Sequence, residues 1–200
     1  MTMAMTAGMF TLLDLQVAEA MRGIWQERLH PLFQLIAELG GIELTTVLMV
    51  GLFFYLWRGG FGADALVVGA YFGSVAFELL YKTLLYHPGP SRSLSHSDGP
   101  SITNLLETTS GLKNSFPSGH MVRTVVAYGL LAFVVRRLAM SPRIRALAVP
   151  VAVLIIVAMV FDRIYLNVHW ESDVIGGLLL GGIALLAATV WLDRPRKAQN

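Results

Sequence analysis

The sequence contains no cysteine, so no disulfide framework can hold this chain together. Charge is also scarce, because only 14% of the 200 residues are charged, whereas soluble domains carry about 25%. The formal net charge of +2 is small and the basic residues are dispersed, which argues against a nucleic-acid-binding protein. Hydrophobic residues make up 55% of the chain, and the mean hydropathy is +0.62. A chain of this size cannot bury that much apolar surface within itself, so the composition predicts an integral membrane protein.

Five apolar windows approach the length of about 20 residues that a helix needs to cross a bilayer. They cover residues 41–57, 64–86, 118–135, 144–162 and 173–192. The predicted fold class is therefore all-α, a polytopic membrane helical bundle of five spans. Residues 10–38 are apolar but interrupted by charge, which favours a helix lying in the interface, with a sixth span as the alternative. The first ten residues lack the basic segment of a signal peptide, so no cleavage is expected.

The same pattern divides the chain into three parts. Residues 1–40 form an N-terminal amphipathic region, residues 41–192 a membrane domain, and residues 193–200 a basic cytoplasmic tail. With alternating spans, one face of the membrane receives most of the basic residues in short connecting segments. These are Arg58, Arg136, Arg137, Arg143, Arg145, Arg194, Arg196 and Lys197. The positive-inside rule makes this face cytoplasmic, which predicts a multi-pass protein of the cell membrane.

Ionisable residues gather at the opposite, outer ends of four predicted spans, where charge is costly and indicates function by default. Three segments contain them. The first covers residues 82–90, the second residues 117–120 (Pro-Ser-Gly-His), and the third residues 163–173. The connection over residues 87–117 is long, and loops of that length are uncommon unless they are functional or disordered.

These segments supply groups that suit an anion. Lys82 and Arg163 are two fixed cations that could clamp it. Ser118 and Gly119 add a hydroxyl and backbone N–H groups at a helix N-terminus. Such groups neutralise the non-bridging oxygens of a phosphate more strongly as charge builds up in the transition state, so a phosphate is the expected ligand.

Two histidines add acid–base and nucleophilic chemistry. Asp173 follows His169 by four residues, so in a helix its carboxylate lies beside the imidazole and can fix the tautomer. One of the two, His120 or His169, can attack phosphorus while the other protonates the departing oxygen. Two histidines far apart in sequence, with no aspartate-rich cluster nearby, are a weak case for zinc. No metal and no cofactor is therefore expected.

The three segments resemble the tripartite signature of the type-2 phosphatidic acid phosphatase family. That signature reads Lys, six residues, Arg-Pro; then Pro-Ser-Gly-His; then Ser-Arg, five residues, His, three residues, Asp. The second segment matches at all four positions. The third matches at Arg163, His169 and Asp173, with Asp162 in place of the serine. The first departs from the signature, because Gly89 stands where the family has arginine.

The resemblance implies a role for each matching residue. His169 is similar to the family's nucleophile, which forms a phosphohistidine, and Asp173 to the residue that orients it. His120 resembles the acid that protonates the leaving group and then activates water. The implied phosphate ligands are Lys82, Ser118, Gly119 and Arg163.

Gly89 leaves one phosphate contact of the family without its arginine. Arg92, three residues later, is a first candidate to replace it, and Arg123, on the His120 face of its helix, is a second. The third possibility is that nothing replaces it.

The other polar residues near these segments are assigned structural roles. Glu78 is expected to pair with Lys82 or with a neighbouring helix, and Asp162 to hold Arg163 in place. The remaining histidines, His30, His87 and His96, are also placed in this group. Several glycines have the spacing that lets helices approach closely in lipid: Gly69, Gly73, Gly176, Gly177, Gly181 and Gly182.

The resemblance implies an integral membrane phosphatase that acts without a metal on a lipid-linked phosphomonoester or pyrophosphate at the outer leaflet. Phosphatidic acid, phosphatidylglycerol phosphate and polyprenyl pyrophosphate are the implied substrates, and the chain does not choose among them. The alternative, which Gly89 supports, is a catalytically impaired phospholipid-binding membrane protein of the same fold. The expected partners are the lipid phosphate and the bilayer, with no nucleic acid and no particular oligomeric state.

Overall fold

A computed structural model describes residues 10–91, 95–96 and 114–194. The described residues form seven α-helices and, in the same ranges, no strand, which confirms the all-α fold class. The helices are α1 (Thr11–Ile24), α2 (His30–Leu39), α3 (Ile42–Arg58), α4 (Gly69–Leu84), α5 (Gly119–Leu138), α6 (Pro142–Tyr165) and α7 (Glu171–Asp193). Two 3-10 segments, Glu27–Leu29 and Gly62–Val68, lead into α2 and α4.

All five predicted spans form helices. Four helical stretches of the described chain are long and apolar enough to cross a membrane: Glu27–Arg58, Gly62–Leu84, Pro142–Tyr165 and Glu171–Asp193. Helix α5, the remaining predicted span, lies outside this set. It is instead the helix that the others surround.

Helix α5 packs against α3, α4, α6 and α7, and twelve of its residues are buried. Its apolar side chains, among them Met121, Val126 and Leu130, belong to the two largest clusters of buried hydrophobic residues. Helices α6 and α7 expose large apolar side chains such as Leu154 and Ile183 on their outer faces. Exposed apolar surface of this extent is expected where helices contact lipid. The chain is therefore a multi-pass membrane protein.

Four helix ends meet at one end of this bundle. Helices α4 and α6 finish there, with Lys82 and Arg163 in their last turns, and α5 and α7 begin there. Arg136 and Arg137 end α5 at the opposite side of the bundle. Because a 20-residue helix is about 30 Å long, they lie roughly a membrane thickness away from the residues that open α5.

The N-terminal region consists of more than one helix. Gly40 and Gly41 separate α2 from α3, and the stretch Glu27–Arg58 as a whole is long enough to cross a membrane. Residues 30–39 therefore belong to a helical stretch that is long enough to span a membrane. Within the predicted interfacial region, residues 10–38, helix α1 remains the candidate interfacial helix. It packs against α6 and α7. The division of the chain at residues 40 and 192 stays a prediction.

Glycines let α7 approach α5, and the residues that lead into α5, closely. At three positions an added Cβ would lie between 2.3 and 2.9 Å from a neighbouring atom: Gly176, Gly177 and Gly181. The predicted close packing is confirmed at these positions. At three others an added Cβ would meet no described atom within 4 Å, so the prediction is wrong there: Gly69, Gly73 and Gly182.

Gly177→Ala is expected to destabilise the protein by about 1–3 kcal/mol, the usual cost of overpacking. The added Cβ would lie 2.6 Å from Met121 Cβ and 2.7 Å from the backbone oxygen of Ser118, and neither atom can move without shifting α5. Gly182→Ala is the matched control on the same helix, where the methyl group meets open space. Thermal unfolding of both variants in detergent measures the difference. Equal unfolding temperatures would show that close approach at Gly177 is not needed.

Candidate active site

The connection between α6 and α7 delivers the third segment to the site. Asp162 and Arg163 at the end of α6 are both fully buried, and Arg163 Nε donates to Asp162 Oδ2 at 2.7 Å. This contact confirms that Asp162 holds Arg163. The chain then reverses at Asn167, whose φ of 52° is a left-handed conformation that asparagine tolerates better than most residues. The reversal places His169 immediately before α7.

Asp173 links the first turn of α7 to His169. Its Oδ2 accepts a hydrogen bond from the backbone N–H of Trp170 at 3.0 Å and lies 3.4 Å from His169 Nδ1. The Asp173 side chain is fully buried, whereas that of His169 is 12% exposed. The carboxylate lies beside the imidazole as expected, but the reason differs from the helical spacing predicted. His169 precedes α7, and Asp173 in the first turn of α7 reaches back to it. This contact leaves Nε2 as the nitrogen available to a substrate.

The second segment enters α5 directly against α7. The backbone N–H of Ser118 donates to the backbone oxygen of Asp173 at 3.0 Å. Ser118 is the N-cap residue of α5 and is fully buried, and its Oγ has no hydrogen-bond partner among the residues that the structure describes. A buried hydroxyl without a partner is costly, and a phosphate oxygen could satisfy it.

Glu78 on α4 is a buried carboxylate between two cations. Its Oε1 lies 3.2 Å from Lys82 Nζ, and its Oε2 accepts a hydrogen bond from Arg123 at 3.0 Å. An added Cβ at Gly119 would lie only 1.9 Å from Glu78 Oε1, so close approach requires glycine at the start of α5. The expected pairing of Glu78 with Lys82 is confirmed, and it extends to a neighbouring helix through Arg123.

Arg123 contacts protein groups through three of its nitrogens. Its Nε donates to the backbone oxygen of Gly40 at 3.1 Å, one terminal nitrogen donates to Glu78, and the other lies 3.4 Å from His120 Nδ1. Arg123 is only 1% exposed. The contact with Arg123 occupies Nδ1 of His120 and leaves Nε2 as the ring nitrogen available to a substrate.

The structure places most of the predicted residues near one another. His120 is 7% exposed and is close enough to interact electrostatically with Arg163, Arg123, His169 and Lys82. The structure thus brings most of the predicted set to one end of the bundle: Lys82, Ser118, Gly119, His120, Arg123, Arg163, His169 and Asp173. Arg92 lies outside the described residues.

Two residues that connect the elements of this site were not found from the sequence. Asp14 on α1 accepts hydrogen bonds from the backbone N–H and the hydroxyl of Ser172 at 2.9 and 2.8 Å, so α1 caps the start of α7. Asn114 joins the first segment to the second, because its Oδ1 accepts from the backbone N–H of His87 at 3.0 Å and its Nδ2 donates to the backbone oxygen of Lys82 at 2.8 Å. These partners are far apart in sequence, so no local spacing signals them.

His87 also reaches the site, although the sequence placed it among the structural histidines. Its Nε2 lies 3.3 Å from Asp173 Oδ1, on the carboxylate oxygen that does not face His169. Asp173 therefore lies between two imidazoles.

A family model describes the matching region of this chain as the PAP2 superfamily and covers residues 63–197. The chain belongs to the PAP2 superfamily. The resemblance of its three segments to the type-2 phosphatidic acid phosphatases is thereby confirmed.

A solved structure has the same fold. It is the crystal structure of the first transmembrane PAP2 type phosphatidylglycerolphosphate phosphatase from Bacillus subtilis. The TM-score is 0.78 at 22% sequence identity, and the match covers 99% of this chain and 93% of that one. This similarity confirms the membrane helical bundle.

Two curated relatives match part of the sequence. Phosphatidylglycerophosphatase B of Bacillus subtilis (strain 168) is 37% identical over 68 residues, which is 34% of each chain. The Escherichia coli (strain K12) protein named "Putative undecaprenyl-diphosphatase YbjG" is 40% identical over 78 residues, which is 38% of this chain and 34% of that protein. The matched part of the chain spans about a third of the length of these curated relatives.

Proposed function

We propose that this chain is an integral membrane phosphatase that hydrolyses a lipid-linked phosphomonoester or pyrophosphate through a phosphohistidine, without a metal. The observation that carries the proposal is the position of His169, held by Asp173, beside the N-terminus of α5 with Ser118 and His120. The names of the two curated relatives, one a phosphatidylglycerophosphatase and one a diphosphatase of a polyprenyl lipid, support this substrate class. Phosphatidic acid is the third candidate substrate.

The first step is attack by His169. Its Nε2 forms a bond to phosphorus while the bond from phosphorus to the leaving oxygen breaks. Asp173 accepts the hydrogen bond of Nδ1–H and stabilises the positive charge that the ring acquires. His120 acts as the imidazolium, a form that the negative charge of the bound phosphate favours. It donates its Nε2 proton to the leaving oxygen and becomes a neutral imidazole, so a protonated lipid alcohol or lipid monophosphate departs.

The second step reverses the role of His120. Having lost its proton, His120 takes one from a water molecule, whose oxygen then attacks phosphorus. The bond between phosphorus and His169 breaks, inorganic phosphate leaves, and both histidines return to their starting state.

The phosphate is held by two cations and by the start of α5. Lys82 and Arg163 neutralise its oxygens, while Ser118 Oγ and the N–H of Gly119 donate to them. Both cations already contact buried carboxylates, Glu78 for Lys82 and a neighbouring aspartate for Arg163, so their side chains are fixed before the phosphate arrives. For the contact that Gly89 cannot make, Arg92 is the stronger candidate, because the guanidinium of Arg123 is already engaged by protein groups.

The proposed site faces the outside of the cell membrane. The support for this orientation is the cluster of arginines at the other end of the bundle, where α5 ends with Arg136 and Arg137 and α6 begins with Arg143 and Arg145. Positive charge in short connecting segments favours the cytoplasmic side. Phosphate release from an externally added lipid phosphate by intact cells making the protein tests this orientation.

The function is tested by phosphate release in detergent from phosphatidic acid, phosphatidylglycerol phosphate and a polyprenyl pyrophosphate, with a metal chelator present. We expect at least one of these lipids to be hydrolysed as fast with the chelator as without it. The His169→Gln variant should release no phosphate. Turnover that requires a divalent ion would contradict the metal-independent mechanism. Lipid binding without turnover would favour the impaired phospholipid-binding protein instead.

A further inference from the structure

We propose that His87 is a positioning residue that holds Asp173 from the side opposite His169. The inference rests on the proposed function and deepens it, because it adds a third histidine to the same site. Asp173 Oδ1 lies 3.3 Å from His87 Nε2, and Asp173 Oδ2 lies 3.4 Å from His169 Nδ1. One carboxylate thus has a separate imidazole at each oxygen.

The His87 contact brings a potential hydrogen-bond donor, His87 Nε2, to an acceptor, Asp173 Oδ1. The Asp173 side chain is fully buried and that of His87 is 18% exposed. Neither Asp173 Oδ1 nor His87 Nε2 has a hydrogen-bond partner within the described ranges, although they lie at nearly hydrogen-bonding distance. A buried carboxylate oxygen needs a donor, and a small rotation of the imidazole lets Nε2–H provide it.

The backbone of His87 is fixed on both sides. Its N–H donates to Asn114 Oδ1 at 3.0 Å, and its carbonyl accepts from the backbone N–H of Ser115 at 2.9 Å. The carbonyl of the next residue, Pro88, accepts from the indole N–H of Trp170 at 2.9 Å. Trp170 directly follows His169, so this bond ties the first segment to the turn that carries the nucleophile. The backbone that carries the His87 ring is therefore held in place before any substrate binds.

A donor on Oδ1 controls how the Asp173 carboxylate is rotated. With both oxygens engaged, Oδ2 stays directed at His169 Nδ1, which keeps the proton on Nδ1 and the lone pair of Nε2 directed at phosphorus. Without His87, the groups of the described chain that still orient the carboxylate are the Trp170 N–H and His169 itself. The effect should appear in the chemical step and not in substrate binding.

Two substitutions of His87 test this role. His87→Ala removes the donor, and we expect kcat to fall about 10–100-fold, the usual effect of losing a residue that orients a reacting one, at an unchanged KM. His87→Gln places an amide N–H close to the position of Nε2 and should recover most of kcat. If His87→Ala does not fold, His87→Leu, which keeps the bulk without the donor, replaces it. A raised KM at normal kcat would make His87 a substrate contact and overturn the proposal.

A double-mutant cycle separates positioning from a general structural effect. In an Asp173→Ala background the carboxylate is gone, so His87→Ala should reduce the residual single-turnover rate no further. Losses that multiply would overturn the proposal. A wild-type chain that releases no phosphate would contradict the proposed function, whereas an active wild type with an equally active His87→Ala would contradict this inference alone.

His96→Ala is the control for removing a histidine from the same connection. The His96 ring stacks on Trp25 with centroids 3.4 Å apart, away from Asp173. Burial, together with the neighbouring His30 imidazole, lowers the pKa of His96, so its ring is neutral at pH 7 and brings no charge to the site. We expect this variant to keep the wild-type kcat. An equal loss in His96→Ala and His87→Ala would show that the loop as a whole matters and would overturn the specific role of His87.

Discussion

His120→Asn is expected to slow the hydrolysis of phosphatidic acid by about 10²–10⁴-fold, the usual contribution of a general acid. The amide of asparagine has no acidic proton to transfer, so the lipid alkoxide would have to leave unprotonated. An aryl phosphate needs far less help, because its leaving phenolate is already stable. With that substrate the variant should release one equivalent of phenolate at close to the wild-type rate and then stop, since His120 is also needed to activate water. Stopped-flow absorbance measures this burst.

His169→Asn is the matched control, because it removes the nucleophile and should abolish both the burst from the aryl phosphate and the hydrolysis of phosphatidic acid. Equal slowing of alkyl and aryl phosphates by His120→Asn, with no burst, would show that His120 does not protonate the leaving group. The structure supports the expected result through Arg123, whose guanidinium lies 3.4 Å from His120 Nδ1 and so leaves Nε2 as the nitrogen available to the leaving group.

Glu78→Gln is expected to destabilise the protein by about 3–5 kcal/mol, because removing one partner of a buried ionic network leaves the other charges uncompensated. Lys82 and Arg123 both contact this carboxylate, at 3.2 and 3.0 Å, and both are almost completely buried. Activity should fall as well, since one cation is a proposed phosphate ligand and the other orients His120. Thermal unfolding in detergent and phosphate release measure the two effects.

Glu38→Gln is the control for the loss of a carboxylate, because Glu38 is exposed and a surface substitution changes stability by no more than about 0.5 kcal/mol. If Glu78→Gln unfolds at the same temperature as this control, the ion pairs of Glu78 contribute nothing measurable to stability.

The proposed active-site residues could be found from the sequence because local spacing and helix ends place them. His169 and Asp173 are four residues apart on either side of the point where α7 begins, and residues 117–120 lead into α5 with a pattern that suits an anion. The five helices likewise followed from apolar windows alone. Local spacing predicts which face or end of a helix a residue occupies, and this information was enough to locate each of these residues.

The supporting residues could not be found in this way. Asp14 reaches Ser172 across most of the chain, and His87 reaches Asp173 from a different segment. Such contacts depend on how the helices are arranged in space, and no regular spacing of residues in a single sequence reveals that arrangement. At Gly69 and Gly73 the sequence instead predicted a contact that the structure does not show. These glycines have the spacing of a packing motif, but an added Cβ would meet open space.

The region matched by the family model starts at residue 63, yet two residues before it reach the site. Asp14 caps the helix that follows His169, and the carbonyl of Gly40 receives a hydrogen bond from Arg123 beside His120. A chain truncated to the matched region would therefore retain every residue of the three segments and still lose support for both proposed catalytic histidines. We therefore expect a shortened form to keep the proposed activity only if it retains the first three helices.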